Sequence, residues 1–489
     1  MTSQARKKHH VDNITFGNTN NVWQYIKWTK GNRHTTMPPI LNTETNKFEH
    51  DLNAKAEVIK KTLLDIPINP NVQVPEGPYP ERIAWKAITK QEIDTELAGY
   101  NTDTAPGQSK ITYTILKWLN KAAPTLMTTL YSNILELGFH PACLKSANVA
   151  VVPNPNKPNY TLAKAYRPIA LLECLSKVLE KVITKRLNFY VNKYELIPNT
   201  QFAGRTKSSV EDAGLCLTHD IQAAWSQNLK MSVLFFDISG YFNNMHHGVL
   251  LDTLRRKSIP EAICKWLSSF LKGRAVNMIL NGVTSAQMMI MDIGVPQGLP
   301  LSPILSSFYT APMLDLFSDG KVIFSNMMLT PIELVMYIDD GSIRAVSKSL
   351  QINCMVIEEA YNRVHKWMEK SNLSLDMEKR DLIHFDKGKL AVDPVMSVML
   401  PNKDGTTTKH KPQEVAKWLG IFFDQKLSFR THVNIMAQRA ETATNAVKIL
   451  GNTVRGLPLR VVQNAYLATV RPVLTYGSNI WYKGDKQKG

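Results

Sequence analysis

The chain has 489 residues, 44% of them hydrophobic and 20% charged, which is typical of a globular protein of several subdomains with a sizeable core. Its 58 lysine and arginine residues outnumber 41 acidic residues and give a net charge of +17, which favours a polyanionic partner, although a basic ribosomal or membrane-surface protein would share that excess. Five scattered cysteines without C-x₂-C spacing argue against a zinc site, and no apolar run is long enough to predict a membrane span.

The first hundred residues predict an N-terminal linker and extension. Residues 1–45 are polar and have the composition of a linker with little structure. Residues 46–65 have helical periodicity, which five prolines between residues 67 and 80 then end.

Three longer segments carry amphipathic helical patterns, at residues 111–139, 169–195 and 352–370. The second repeats apolar residues at spacings of three and four with basic residues between them, and core packing explains that stripe. The third places Trp367 on its buried side. These helices are therefore expected to pack around the core.

An apolar run ends in an aspartate at residues 231–239, which read MSVLFFDIS. The run is too short for a typical helix and rich in Val, Leu and Phe, so it predicts a buried strand. Asp237 closes this strand, where a carboxylate is unusual. It either caps the next turn or pairs with Asp339 across neighbouring strands.

Residues 294–309 read GVPQGLPLSPILSSFY, a dense glycine and proline pattern before a helix. Ser302 is a candidate N-cap, and Pro303 suits the first helical turn. A helix that begins here would aim backbone N–H groups at an anion, whereas the alternative is an ordinary loop-to-helix junction.

Residues 334–341 read LVMYIDDG, which predicts a strand followed by a tight hairpin turn at Asp-Gly. Asp339 and Asp340 would then lie at the hairpin tip, unless they belong to an ordinary surface turn. Carboxylates fixed on a rigid base are oxygen ligands for a divalent metal ion. Together with Asp237 they can bracket two Mg²⁺ ions about 4 Å apart, the geometry for in-line nucleotidyl transfer.

Three segments of the chain resemble conserved motifs of reverse transcriptases. In chain order they are FFDISGYFNN, GVPQGLPLSPIL and YIDDG, which resemble motifs A, B and C. The residues within these motifs are similar to those of polymerases of non-LTR (LINE-type) retrotransposons, especially fungal ones. Four further segments also resemble the family. Residues 145–183 resemble its fingers block, and residues 201–213 resemble the block that follows. Residues 373–385 resemble motif D, and residues 417–429 resemble motif E.

This resemblance implies an α+β right-hand polymerase whose antiparallel palm sheet packs on helices. Fingers and palm would occupy residues 101–425. A basic helical thumb, which we expect to be truncated, would follow over residues 426–489, where ten lysine and arginine residues face two acidic ones. A solvated basic tail is the alternative for that last region.

The catalytic roles that the resemblance implies fall on four residues. Asp237 and Asp339 match the metal-binding aspartates, and Asp340 matches their less critical neighbour. Lys379 matches a lysine that is proposed as the general acid for pyrophosphate. The implied cofactor is Mg²⁺ or Mn²⁺.

The substrate-binding roles that the resemblance implies fall on five further residues. Arg167 matches the fingers arginine that contacts the incoming triphosphate, and Lys157 is a weaker candidate for the same role. Phe242 matches the bulky residue that excludes a 2′-hydroxyl. Gln297 and Gly298 match the surface of motif B that faces template and nucleotide.

Three departures from the family pattern leave the catalytic rate open more than the reaction type. Leu299 stands where relatives often have a small residue, and Asn243 stands where many have Asp. Residues 105–110 lack the aspartate that is common in their block.

The sequence therefore predicts an RNA-directed DNA polymerase that adds dNTPs to a primer 3′-hydroxyl on an RNA template by a two-metal mechanism. We expect the chain to be a polymerase core cut from a longer protein, or a degenerate copy. We also expect it to act in the nucleus, because its chemistry serves genomic integration. The alternatives are a group II intron maturase-like polymerase, a viral RNA-dependent RNA polymerase, and an inactive relic that only binds nucleic acid. Ile338 and Phe242 argue against the RNA polymerase, since such enzymes usually have glycine and a small residue there.

Overall fold

The computed structural model describes most of the chain beyond residue 36. The described residues are 37–64, 67–74, 77–102, 104–154, 157–205, 208–285, 289–291, 293–323, 329–388, 396–402, 404–451, 458–482 and 484. Their strands are β1 Ile40–Asn42, β2 Lys47–Glu49, β3 Ala147–Pro153, β4 Tyr166–Leu171, β5 Lys230–Asp237, β6 Arg274–Leu280, β7 Val283–Thr284, β8 Met289–Met291, β9 Lys321–Ile323, β10 Leu329–Tyr337, β11 Asp340–Ser347, β12 Asp381–Phe385, β13 Val398–Pro401, β14 Thr407–His410, β15 Val415–Trp418 and β16 Ile421–Asp424. Their helices are α1 Leu52–Leu63, α2 Lys90–Ala98, α3 Tyr113–Ala122, α4 Leu126–Glu136, α5 Cys174–Tyr194, α6 Val210–Ser226, α7 Tyr241–Asn244, α8 His247–Arg256, α9 Glu261–Leu271, α10 Ser302–Asp315, α11 Leu350–Lys370, α12 Arg430–Leu450, α13 Leu459–Leu474 and α14 Ser478–Trp481.

An antiparallel sheet of five strands, in the order β12-β5-β11-β10-β9, lies at the centre of the described structure. Its strand β5 is buried on both faces. Leu234 and Phe236 belong to one apolar cluster together with α11, whereas Val233 and Phe235 belong to another together with α6. This alternation follows the two-residue period of a strand. The predicted buried strand and the predicted antiparallel sheet on helices are both confirmed.

A second sheet has the order β4-β3-β6-β7, with β8 also paired to β6. Strands β3 and β6 are parallel, and the other pairs are antiparallel. The register of β3 and β4 sets Arg167 opposite Val152. This pairing therefore places Arg167 on the edge strand of this sheet.

The helix predictions are right in type but wrong at some boundaries. Residues 111–139 form two helices, α3 and α4, because Pro124 lies between them and cannot continue the first. The helix predicted over residues 169–195 begins only at Cys174, because strand β4 occupies its first residues. Helix α11 agrees with the pattern over residues 352–370, and Trp367 is half-buried against the apolar core.

The N-terminal extension contains more regular structure than predicted. Residues 1–36 of the expected linker lie outside the described residues, but Ile40 is fully buried in β1, so the linker prediction is wrong there. Strand β2 occupies the start of the helix predicted over residues 46–65, and α1 begins after Asp51. The Asp51 carboxylate caps α1 by accepting hydrogen bonds from two N–H groups of its first turn.

The C-terminal helices form a unit beyond the β15–β16 hairpin. Helices α12 and α13 pack on each other through Ala440, Val447, Ala465 and Val470. Helix α14 returns to α6, where Ile480 joins the apolar cluster of the central sheet. No helix in the described part of the chain is long and apolar enough to cross a membrane.

Candidate active site

The β10–β11 hairpin turns earlier than the Asp-Gly pattern predicts. Tyr337 pairs with Asp340, so the two turn residues are Ile338 and Asp339, and Asp340 is already the first residue of β11. Of the two turn residues, Ile338 has a positive φ, of 59°. A β-branched residue in this region is strained, and such strain is often found at functional sites.

Gly341 serves close packing and not the turn, which corrects the Asp-Gly prediction. It lies within β11 opposite Phe236 of β5. A Cβ atom at Gly341 would lie 2.2 Å from Cζ of Phe236 and 2.7 Å from Sδ of Met336. The missing side chain therefore lets two buried side chains cover the strand just behind the carboxylates.

Three carboxylates meet at the end of the central sheet. Asp237, the last residue of β5, is the direct partner of Asp340 in the ladder with β11. The N–H of Ile238 donates to the carbonyl of Asp339 at 3.1 Å, which holds the hairpin tip against the end of β5. Sheet pairing thus brings together two motifs that are about a hundred residues apart in the sequence.

Burial and mutual repulsion raise the pKa values of these carboxylates. Burial first, and then the charge of Asp237, raise the pKa of Asp339 to about 6. Burial first, and then the charges of Asp339 and Asp237, raise the pKa of Asp340 to about 7. The charges of Lys379 and Arg167 oppose this effect at Asp339 but do not cancel it. The cluster therefore carries excess negative charge in a poorly solvated place.

Lys379 donates a hydrogen bond to Oδ2 of Asp237 and lies 3.5 Å from the carboxylate of Asp376. Burial disfavours the ammonium, but the bond to Asp237 and both negative charges outweigh it and raise the pKa of Lys379. Burial dominates at Asp237, whose pKa is also raised although the same ion pair lowers it. The difference arises because Asp237 is buried, whereas the Lys379 side chain is 56% exposed.

The donor set fits a divalent metal ion. Hard oxygen ligands with uncompensated negative charge are what Mg²⁺ and related ions bind. Among the described residues, however, no group of three or more His, Cys, Asp or Glu side chains is arranged so that it could hold a metal ion by itself. Asp237 and Asp339, with Asp340 beside them, would supply part of a coordination shell, as expected where water and phosphate oxygens supply the rest.

The loop before α10 is held by one side-chain and one backbone hydrogen bond and not by the predicted cap. Ser302 is the first residue of α10, and its Oγ donates to the carbonyl of Pro296 at 2.7 Å, so its prediction as N-cap is wrong. Gln297 is half-buried, and its carbonyl accepts from the N–H of Ala170 in β4 at 3.3 Å. Gly298 is exposed with a φ of 94°, which favours glycine there.

Phe242 lies in the short helix α7 directly after the end of β5. The N–H of Val295 donates to its carbonyl at 2.7 Å, which ties α7 to the loop before α10. The ring is half-buried and packs against the apolar core, with its centroid 5.6 Å from that of Tyr241. This placement is compatible with a steric gate and with a core residue.

The two predicted triphosphate ligands differ in their relation to the carboxylates. Arg167 is exposed on β4, and its guanidinium lies close enough to act on the charge of Asp339. Lys157 is exposed in the connection between β3 and β4. In the part of the chain that the structure describes, no ion pair joins Lys157 to the three carboxylates.

Two residues of this site were not predicted from the sequence. The N–H of Asp376 donates to the carbonyl of Asp237 at 2.8 Å, and its carboxylate lies beside Lys379. Asn372 has a φ of 58° and an amide that joins two other segments. The acidic residue three positions before Lys379 was a usable signal for Asp376, but nothing local marks Asn372.

The sequence matches a known protein family over more than half of its length. The family described as "Reverse transcriptase (RNA-dependent DNA polymerase)" matches residues 152–451. This range contains Asp237, Asp339, Asp340 and Lys379, and it extends through α12.

Several curated proteins of insects are similar to the chain. "Probable RNA-directed DNA polymerase from transposon BS" of Drosophila melanogaster is 26% identical over 437 residues, which cover 89% of this chain and 46% of that protein. "RNA-directed DNA polymerase from mobile element jockey" of the same species is 25% identical over 407 residues, covering 83% and 43%. The chain spans about half the length of the curated relatives it matches. The narrower fungal assignment stays a prediction.

Among solved structures, an apo telomerase from Candida tropicalis is similar with a TM-score of 0.39 and 10% identity. The similarity covers 64% of this chain and 59% of the telomerase chain. A likeness this distant carries no argument about the site.

Proposed function

Because the chain belongs to the reverse transcriptase (RNA-dependent DNA polymerase) family, we propose that it is the polymerase of a non-LTR retrotransposon. It extends a DNA primer with dNTPs on an RNA template. The observation that carries this proposal is the meeting of Asp237, Asp339 and Asp340 at one end of the central antiparallel sheet. The family fold, a right hand with an antiparallel palm sheet, accounts for that sheet and its helices.

Asp237 and Asp339 hold divalent cations, Mg²⁺ or Mn²⁺, and Asp340 supports them from the first position of β11. The support is the raised pKa of Asp339 and Asp340, because a bound cation relieves the repulsion that raises them. The chemistry supplied by ions held at Asp237 and Asp339 would be activation of an attacking hydroxyl and neutralisation of charge on the transferred phosphoryl group.

Lys379 is the proton donor to the leaving pyrophosphate. Its raised pKa keeps the amine protonated at neutral pH, as a general acid requires. Asp237 and Asp376 hold the ammonium at the site, and its exposure leaves it accessible to a substrate oxygen.

The nucleotide lies between the two sheets. Arg167 binds the triphosphate through its planar guanidinium, since that charge already acts on Asp339, and Lys157 contributes more weakly from its exposed loop. Phe242 blocks a 2′-hydroxyl, and Gln297 with Gly298 lines the surface toward the template base.

The nucleic acid lies along the basic parts of the chain. Residues 1–100 form the N-terminal extension, residues 101–425 the fingers and palm, and residues 426–489 the thumb. The lysines and arginines of the last range contact backbone phosphates of the template–primer duplex. Action in the nucleus follows from the genomic target of a retrotransposon.

Primer extension tests this function directly. The protein should extend oligo(dT) on poly(rA) with dTTP and Mg²⁺, and EDTA should stop it. Asp339→Asn should abolish extension. Asp386→Asn is the matched control, because it removes a carboxylate that follows β12 at the opposite end of the same sheet and should leave activity unchanged. An inactive relic gives no extension, and an RNA polymerase prefers ribonucleotides.

A further inference from the structure

Residues 67–74, here called the strap, cross the C-terminal end of helix α11. The N–H of Gln73 donates to the carbonyl of Lys370 at 3.0 Å, and Nδ2 of Asn69 donates to the carbonyl of Glu369 at 3.2 Å. The last carbonyls of a helix have no partner within that helix. The strap therefore supplies donors that α11 itself lacks.

One buried side-chain amide links the strap to the turn that follows Asp237. Asn372 is 7% exposed and has a φ of 58°. Its Oδ1 accepts from the N–H of Asn69 at 2.7 Å, and its Nδ2 donates to the carbonyl of Asn244 at 2.8 Å. Asn tolerates this left-handed backbone better than most residues, so one residue supplies both the bend and the link.

Val72 packs against the apolar core, but the contact between the strap and Asn372 itself is made by hydrogen bonds. A cavity of about 440 Å³ lies between the strap and the connection that leaves α11, lined among others by Pro70, Leu375 and Met377. Most strap residues are exposed. Removing the Asn372 amide would thus leave the N–H of Asn69 and the carbonyl of Asn244, both partly buried, without this partner.

The turn that Asn372 holds is the one that carries Phe242. Asn244 is the last residue of α7, and its own Nδ2 donates to the carbonyl of Ser239 at 2.9 Å. The loop before α10 holds the same turn from the other side, where Gly294 donates to the carbonyl of Met245 at 2.9 Å. Asn372 thus supports one side of the turn and the loop supports the other.

We infer that Asn372, held by the strap, is a positioning residue that sets the place of Phe242 and thereby the binding of the nucleotide sugar. The N-terminal extension therefore takes part in substrate selection although it contributes no group to the carboxylate cluster. This inference rests on the proposed polymerase function.

Two variants separate the halves of the link. Asn372→Gly removes the amide and keeps the left-handed backbone. Asn372→Asp keeps an acceptor for Asn69 but places an oxygen against the carbonyl of Asn244. The matched control is Asn71→Ala, an exposed strap position.

Single-nucleotide extension with dATP and ATP gives the functional readout. Both Asn372 variants should raise KM for dATP about five- to tenfold, the effect of roughly one buried hydrogen bond, with kcat within about threefold. They should also change the preference for dATP over ATP, whereas Asn71→Ala should not. A purely structural defect would instead lower kcat with both nucleotides alike. An unchanged KM and preference in Asn372→Gly, or an Asn372→Asp that behaves like the parent, overturns the inference.

Amide hydrogen exchange over residues 238–246 gives a readout that needs no polymerase activity. Exchange there should be at least about tenfold faster in both Asn372 variants and unchanged in the control, because local opening becomes easier. Unchanged exchange over residues 238–246 in both variants would show that Asn372 does not hold this turn. Faster exchange in a protein whose parent does not extend primers refutes the proposed function and leaves the link standing.

Discussion

Replacing Asp340 by Asn should stabilise the protein at pH 8 in EDTA, although it changes a predicted site residue. The reason is that burial, followed by the charges of Asp339 and Asp237, raises the pKa of Asp340 to about 7, against its usual 3.8. The folded state therefore binds a proton at this carboxylate more tightly than the unfolded state. The free energy of unfolding must then fall as the pH rises from about 4 through about 7.

The magnitude follows from that difference in pKa. Each pKa unit corresponds to about 1.4 kcal/mol, so the full difference would cost about 4 kcal/mol above pH 7. Asp340 is partly exposed and titrates together with Asp339, so we expect about 1–3 kcal/mol. Asn mimics the protonated carboxyl and removes this cost, which corresponds to a rise in melting temperature of roughly 1–3 °C at pH 8 and little change near pH 4.

Thermal melts of Asp340→Asn and the parent between pH 4 and pH 8 in EDTA measure this effect. Asp386→Asn is a control with the opposite sign, because Lys230 and the N–H of Gly388 outweigh burial and lower the pKa of Asp386. Its loss should destabilise the protein at neutral pH. Excess Mg²⁺ should raise the parent's melting temperature at pH 8 and thereby reduce the difference in melting temperature between Asp340→Asn and the parent. A difference in melting temperature between the variant and the parent that stays constant from pH 4 to pH 8 would refute the electrostatic reasoning.

Four further variants test the assigned roles. Asp339→Asn should lower extension at least about a hundredfold without lowering the melting temperature, since the raised pKa of Asp339 means that its charged form also destabilises the folded state. Activity within about tenfold of the parent, or 1.4 kcal/mol in barrier, contradicts the metal assignment. Arg167→Ala should raise KM for dNTP more than it weakens primer binding, whereas equal losses would indicate a structural or template contact. Phe242→Ala should increase incorporation of ATP relative to dATP, and an unchanged preference with a lowered melting temperature would leave only a core role. Arg460→Ala should make the log–log slope of duplex affinity against salt less negative by about 0.9, and its neighbour Arg455 lies outside the described residues.

Strand β5 and the β10–β11 hairpin of the central sheet could be predicted because their signals are local, whereas β9 and β12 were not predicted. The run that becomes β5 is apolar at successive positions, and a strand buried on both faces requires that pattern. The hairpin was also predicted, but its turn was placed too late in the sequence. Asp-Gly favours a turn by itself, yet Gly341 packs closely against Phe236 within β11, and the residue with left-handed backbone in the turn is Ile338.

Strand β4 could not be predicted because its cause is distant in the sequence. Its residues continue the apolar spacing of α5, so the local pattern favours one longer helix. Pairing with β3 supplies the hydrogen bonds that make it a strand. The break between α3 and α4, in contrast, was visible as Pro124 in the sequence.

The carboxylate cluster shows why the order of motifs along the chain predicted the catalytic chemistry but not the residues that hold the site in place. Antiparallel pairing brings the end of β5 to the tip of the β10–β11 hairpin, so two aspartate motifs converge whatever lies between them. That convergence destabilises the folded chain, since like charges are buried together. The same excess charge is what favours binding of a cation, so the local instability and the proposed function have one physical origin. Asn372 adds no charge and has no motif, and only the fold brings it to Asn69 and Asn244, each more than a hundred residues away in the sequence.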